Sequence, residues 1–346
     1  MRNFLVRPRQ TDSCSTGLYR FAPWRSDGND ALTSQEDQRP PLIFLMGPTG
    51  SGKTALACSL AERHPMDLVS VDSALVYRGM DIGTAKPDPV TLSRFPHRLL
   101  DIRDPSQAYS AAEFRADALA EIEHITERGR VPLLVGGTGL YFRALEWGLS
   151  PLPQASASLR AELFSEAERM GKAHMHERLA ELDPITAARL NVNDAQRVQR
   201  ALEVIELSGL PISALQGAPR QRLPYRILKL ALFPRNRVPL HQRIEARFEL
   251  MLEQGLEAEL QRLRRMPEWS ADLPSMRAVG YRQGWPYLSG ETNMAEFRLA
   301  AIHATRQLAK RQITWLRSEL DCRMLDSEGS EVEDCANTAV SNFLGA

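Results

Sequence analysis

The chain has 346 residues, 43% of them hydrophobic and 25% charged, which is enough apolar material for about two packed domains and excludes general disorder. Lys and Arg number 43 and so do Asp and Glu, so the net charge is zero. That balance excludes a globally basic nucleic-acid binder, although a local basic patch stays open.

Residues 1–40 are polar and without periodicity and read as a disordered N-terminal extension. Their five arginines within the first 25 residues leave an organelle transit peptide open as a second reading. The run Pro41–Met46 is short, apolar and bounded by Gly47-Pro48, as in a buried strand. Gly47-Pro48-Thr49-Gly50-Ser51-Gly52-Lys53-Thr54 follows and fits G-x-x-x-x-G-K-[ST], with a helical stretch after it. Leu68–Val71 reads as a second strand ending at Asp72, Ala111–Arg128 as a helix, and Val131–Val135 as a third strand stopped by Gly136-Gly137. Alternating strands and helices predict an α/β fold: a P-loop NTPase-like parallel sheet with helices on both faces.

The composition changes near Leu149–Pro153. From there to Gly217 the pattern is helical, which predicts an insertion domain over 149–217 between core segments 41–148 and 218–326. Tyr225–Phe233 returns to strand character, and 240–265 and 295–319 read as two charged helices. The segment 301–317 carries Arg306, Lys310, Arg311 and Arg317 with no acid, a candidate cationic face. The acidic end, 327–346, reads as a flexible tail. His174 and His176 are one residue apart in the helical insert and read as surface histidines. Cys14, Cys58, Cys322 and Cys335 form no CxxC pair, so neither a zinc site nor a disulfide scaffold is expected, in keeping with a cytoplasmic location. No apolar run reaches the ~18 residues of a membrane helix, so no membrane partner is expected.

The phosphate loop has a plain mechanism. Its glycines let backbone N–H groups face phosphate oxygens, and the helix start adds positive potential. Lys53 neutralises phosphate charge and Thr54 is a candidate ligand for Mg²⁺. The strand Val131–Val135 ends in Gly136-Gly137-Thr138-Gly139, where an ATP-hydrolysing enzyme would place a carboxylate. Asp72, at the end of another strand, is a candidate metal ligand or base. A P-loop kinase and a nucleotide-controlled RNA-binding switch share the cradle and stand as rival readings at this level.

Eight ordered blocks carry a more specific signal: the P-loop; Val71–Tyr77; Met80–Pro87; Pro96–Asp101; Gly136–Tyr141; Asn193–Arg197; Arg277–Gln283; and Thr305–Gln312. Together they resemble the bacterial tRNA dimethylallyltransferases, or tRNA isopentenyltransferases, over about residues 42–326. The resemblance implies transfer of a dimethylallyl group from dimethylallyl diphosphate to N6 of adenosine-37, beside the tRNA anticodon, with Mg²⁺ and without ATP. It implies a monomer that binds the tRNA anticodon stem-loop. It assigns catalysis to Asp72 as the base that takes the N6 proton, with Lys53, Thr54 and Thr138, and Mg²⁺ to Thr54. It assigns diphosphate binding to Gly47, Pro48, Thr49, Gly50, Ser51, Gly52, Lys53, Thr54 and Arg247. By itself, Arg247 would read as a helix-surface ion pair beside Glu245 and Glu249. It assigns tRNA contact to Asp72, Ser73, Ala74 and Leu75, to Thr138 and Arg160, and to Gln196, Arg197, Val198, Gln199 and Arg200. The same contact falls to Arg277, Ala278, Val279, Gly280, Tyr281 and Arg282, with Tyr281 available to stack on a base. It falls also to Lys310, Arg311, Gln312, Ile313, Thr314, Trp315, Leu316 and Arg317.

Overall fold

A computed structural model describes residues 18–19, 37–216, 222–319 and 321–345. Apart from Leu18–Tyr19 and residues 37–40, the extension expected over 1–40 lies outside the described residues. The chain forms two units, 1–143 with 224–346 and 144–223.

The first unit opens with β1 (Leu18–Tyr19) and β2 (Pro41–Met46), then α1 (Lys53–Arg63) and β3 (Met66–Val71). It continues through α2 (Pro89–Arg94), β4 (His97–Arg98), α3 (Ala111–Glu127), β5 (Val131–Gly136) and α4 (Gly139–Trp147), which runs on into the second unit. The second unit holds α5 (Ala157–Leu182), α6 (Pro184–Ala187), α7 (Ala195–Ser208) and α8 (Ile212–Leu215). The chain then returns through β6 (Arg226–Phe233), α9 (Arg237–Glu253) and α10 (Leu256–Arg264). A 3₁₀ turn (Pro274–Arg277), α11 (Tyr281–Leu288), α12 (Met294–Leu316), β7 (Cys322–Asp326) and α13 (Val332–Leu344) complete it.

The sheet order is β1-β7-β6-β2-β5-β3-β4, parallel throughout except for the antiparallel β1–β7 pair. Its centre is made of uninterrupted apolar runs because helices cover both faces. Leu42 to Leu45 are fully buried, as are Leu133 and Leu134. Helix α3 shows why the local sequence folds as it does. Ser110 and Glu113 form a capping box, and Phe114, Ala118, Ile122 and Ile125 recur on one face and are buried. The register pairs Met46 with Gly136, Val71 with Gly136 and Met46 with Ala231. The loops after β2, β3 and β5 therefore emerge side by side at the strands' C-terminal ends, where ligands gather in such sheets.

Three expectations change. The stretch 240–265 is two helices, because Gly255 takes a left-handed φ of 99° between α9 and α10. The insertion spans 144–223 rather than 149–217. The expected flexible tail 327–346 instead carries α13. Its Ala336, Ala339 and Val340 pack into the cluster of Leu56, Ala57 and Leu60 on α1 with Leu228 and Leu230 on β6. Asn337 Oδ1 meets His64 Nε2 at 2.8 Å. The signal was helical apolar spacing beneath an acidic composition: Val332, Cys335, Ala336, Ala339, Val340, Phe343 and Leu344 share one face. Ala339→Asp buries a charge in that cluster and should lower stability by about 3 kcal/mol, read as a fall in urea midpoint at constant slope.

The second unit has its own core of Leu163, Met175, Leu179, Val198, Ala201, Leu202 and Val204. Gly171, at φ 86°, breaks α5. His176 is no simple surface histidine: its Nε2 lies 3.2 Å from the Ala187 carbonyl and 3.0 Å from that of Leu190.

Candidate active site

The loop between β2 and α1 wraps the start of the helix. Gly50 and Gly52 adopt φ of 77° and 90°, a left-handed conformation that L side chains resist. Lys53 is the first helical residue, so the N–H groups that begin α1 point out of its end, into the space the loop encloses. Lys53 Nζ folds back onto the Pro48 carbonyl at 2.8 Å. Burial pushes the Lys53 ammonium down to about 8, the Asp72 carboxylate acts against that fall, and the Arg247 guanidinium adds to it. Arg247 is itself pushed down by burial and held up by Asp72. Two enclosed cations thus face one carboxylate, an arrangement that favours a polyanion.

Lys53 is a cation below about 8 and loses its charge as pH rises through that value. The KM for a diphosphate ligand should be flat below that pH and climb above it, by up to about tenfold per unit, in initial-rate measurements across the range.

Asp72 follows β3 directly. Its Oδ1 accepts from the N–H groups of Ala74, at 2.8 Å, and Leu75, at 3.3 Å. The turn thereby fixes the carboxylate through Oδ1. Thr138, at the neighbouring strand end, donates its N–H to the Val71 carbonyl at 3.3 Å, which seats it beside Asp72. A cleft of about 750 Å³, its open mouth included, is lined by Thr49, Asp72, Arg247 and Gln312 and by Ile244, Phe248, Met251, Leu256 and Leu308. Its lining thus combines charged and polar groups with apolar side chains.

Gln312 of α12 braces this site. Its Oε1 accepts from the Thr49 N–H at 2.9 Å, and its Nε2 donates to the Gly137 carbonyl at 3.1 Å. A Cβ on Gly137 would sit 2.3 Å from that Nε2. Gly137 is therefore the socket for this amide, while a Cβ on Gly136 would meet the Val71 backbone instead. From α9, Arg243 Nε donates to the Gly50 carbonyl at 2.9 Å.

A family model described as IPP transferase matches residues 75–319. This chain belongs to the IPP transferase family. It is 56% identical to a tRNA dimethylallyltransferase of Xanthomonas oryzae pv. oryzae (strain PXO99A) over 315 residues, covering 89% of this chain and 96% of that one. It is equally identical, over 307 residues, to the tRNA dimethylallyltransferase of Thiobacillus denitrificans, covering 89% and 98%. A crystal structure of a tRNA isopentenylpyrophosphate transferase from Bacillus halodurans aligns with TM-score 0.66 at 34% identity, covering 89% and 97%. A eukaryotic dimethylallyltransferase described as acting on tRNA aligns with TM-score 0.74 at 25% identity, covering 88% and 80%.

Within this IPP transferase the residues named from the sequence divide into groups. Asp72, Thr138, Arg247 and the P-loop come together at the strand ends. Ala278 and Val279 line the cleft with them. Ser73, Arg277, Arg282, Lys310, Arg311, Thr314 and Arg317 are exposed. Four residues expected at the tRNA have core side chains: Val198 (2% exposed), Tyr281 (0%), Ile313 (2%) and Leu316 (0%). They hold the helices that present their neighbours, and Tyr281 is not available to stack on a base. Gly280 is buried as well. Gln312 points inward to the P-loop, and Trp315 stacks against Phe142 with ring centroids 6.0 Å apart. Arg306 is engaged by Glu245 at 2.9 Å.

In the second unit, Gln196 and Arg197 are exposed. Arg197 pairs with Asp194 at 2.6 Å, and Gln199 donates to the Arg160 carbonyl at 2.9 Å. Buried Glu203 takes both Arg160, at 3.1 Å, and Arg200, at 2.7 Å, which commits part of their charge internally. Among the described residues no helix is long and apolar enough to cross a membrane. Sequence reading took Arg243 for a helix-surface ion pair and did not place it at the P-loop. An arginine four positions before Arg247 on a helix rich in acids looks like ordinary ion pairing.

Proposed function

We propose that this chain is a tRNA dimethylallyltransferase that transfers the dimethylallyl group of dimethylallyl diphosphate to N6 of adenosine-37 in tRNA. The observation that carries the reading is the cleft itself, lined by Asp72, Arg247 and apolar side chains, with half-buried Lys53 coupled electrostatically to Asp72 and Arg247. The N6 lone pair attacks C1 of the allyl group, the C1–O bond breaks, and its electron pair leaves with the diphosphate. Lys53, Arg247 and the N–H groups opening α1 meet the charge that develops on the leaving oxygen. The N6 proton passes to the Asp72 carboxylate as the C–N bond forms. Thr138, next to Asp72, faces the adenine.

The donor set suits Mg²⁺. One hydroxyl, on exposed Thr54 in the first turn after the P-loop, matches a cation that takes few protein ligands and completes its shell with phosphate oxygens and water. Bound there, the ion would neutralise diphosphate charge. Among the described residues no cluster of three or more His, Cys, Asp or Glu offers an alternative all-protein site.

The adenosine must leave its stack to reach Asp72, so a flipped base in a single-stranded loop is the fitting substrate. Exposed Lys310, Arg311 and Arg317 on and after α12, with Arg277 and Arg282, supply the phosphate contacts. Zero net charge is compatible with that, because one stem-loop is all the basic face must cover. Lys310→Ala should weaken tRNA binding and reduce the slope of log affinity against log salt by about one. An unchanged slope would move the RNA elsewhere.

The deciding experiment is mass spectrometry of nucleosides from unmodified tRNA incubated with the protein, Mg²⁺ and dimethylallyl diphosphate, without ATP. One added C5H8 on adenosine is the expected product. No gain, with phosphate transfer once ATP is supplied, would favour the kinase reading.

A further inference from the structure

Glu259 is a carboxylate on α10 with 5% exposure, away from the P-loop and Asp72. Its Oε2 accepts from the backbone N–H groups of Asp81 and Ile82, both at 2.9 Å. Its Oε1 accepts from the Gly83 N–H at 3.1 Å and from the Tyr281 hydroxyl at 2.6 Å. Three successive N–H groups converging on one anion form the kind of concavity that elsewhere holds a bound phosphate. Here the protein's own side chain fills it.

The four partners of Glu259 belong to two chain segments that line the cleft. Gly83 and Thr84 line one side, and Ala278, Val279 and Gly280, immediately before Tyr281, line another. The walls also touch directly. A Cβ on Gly83 would lie 2.7 Å from the Tyr281 ring, so only glycine lets the ring seat there. From the far side of the loop, Lys86 Nζ donates to Asp81 Oδ1 and Asp101 Oδ1, each at 2.5 Å, and to the Tyr77 carbonyl at 3.0 Å. Lys86 thus fixes the loop, and Glu259 is the carboxylate that ties its backbone N–H groups to Tyr281.

We propose that Glu259 and Tyr281 are positioning residues that set the spacing of the two walls through which the tRNA adenosine enters, a role that rests on the function proposed above. Neither touches the diphosphate end. A change in wall spacing should therefore alter tRNA affinity without altering that of the allylic substrate.

Tyr281→Phe removes one hydroxyl and keeps the ring on Gly83. Glu259→Gln turns an amide donor toward N–H groups that need an acceptor. Tyr281→Phe should raise KM for tRNA by about tenfold, with kcat within about twofold and KM for dimethylallyl diphosphate unchanged. Glu259→Gln should move the same parameter further and speed amide hydrogen exchange at residues 81–83. If kcat and thermal stability fall and both KM values rise together in Tyr281→Phe, the residues are merely structural and the proposal is overturned. Direct binding of an anticodon stem-loop, without the diphosphate, separates the two layers. Equal affinity in wild type and both variants overturns the positioning role alone. Wild-type protein that binds the stem-loop but never prenylates it overturns the functional reading, while weaker binding by the variants would still support the positioning role.

Discussion

Asp72→Asn should lower kcat by about 10²–10⁴-fold while leaving the affinity for dimethylallyl diphosphate within a few-fold of wild type. Asparagine is the informative substitution because its carbonyl can still cap Ala74 and Leu75, as Oδ1 does at 2.8 and 3.3 Å. The turn survives, and what disappears is the oxygen able to take a proton. Asp72 also helps keep Lys53 charged, so the measurement belongs below the Lys53 value of about 8. Single-turnover kinetics would separate slower chemistry from slower product release. An unchanged single-turnover rate would strip Asp72 of the base role and leave it as a turn residue.

Lys53→Met should lower kcat by about 10²–10³-fold, the usual cost of removing one donor from developing negative charge. Methionine keeps the apolar length of the stem, so α1 and its buried Leu56, Ala57 and Leu60 need not move. The variant should also lose the rise in diphosphate KM above about pH 8, since the group responsible is gone. A mutant whose profile still rises there would assign the titration to another group. Arg247→Met, with the second enclosed cation removed and Lys53 kept, should retain the rise at a weaker overall affinity.

The parts of the sequence that read correctly share one property: their chemistry is local. The phosphate loop, the strand before Asp72 and the glycine pair at the end of β5 each announce themselves within eight residues. The parts that misread depend on partners far along the chain. Gln312 looks like one more residue on a cationic helix until the fold brings Thr49 and Gly137 to it. Tyr281, next to Gly280 and between two arginines, has the composition of an RNA contact, yet its ring is core because Gly83 and Glu259 receive it. Arg243 and Arg247 carry the same local pattern as the ion pairs nearby, and only the packing of α9 sends them to the P-loop and the cleft. In α13 the apolar spacing was present, but acids and small residues hid it.

The order of the strands bears on how the protein is made. β2 pairs with β5 on one side and with β6 on the other, and β6 follows the entire insertion. A growing chain completes the phosphate loop early, while β2 still has an open edge. The insertion, with its own hydrophobic cluster, can collapse on its own during that wait. Gln312, Arg243 and Arg247 arrive only with the last third of the sequence. A partly synthesised chain therefore displays the phosphate-loop sequence without the braces and cations packed around it, and its exposed strand edge is the point most open to mispairing.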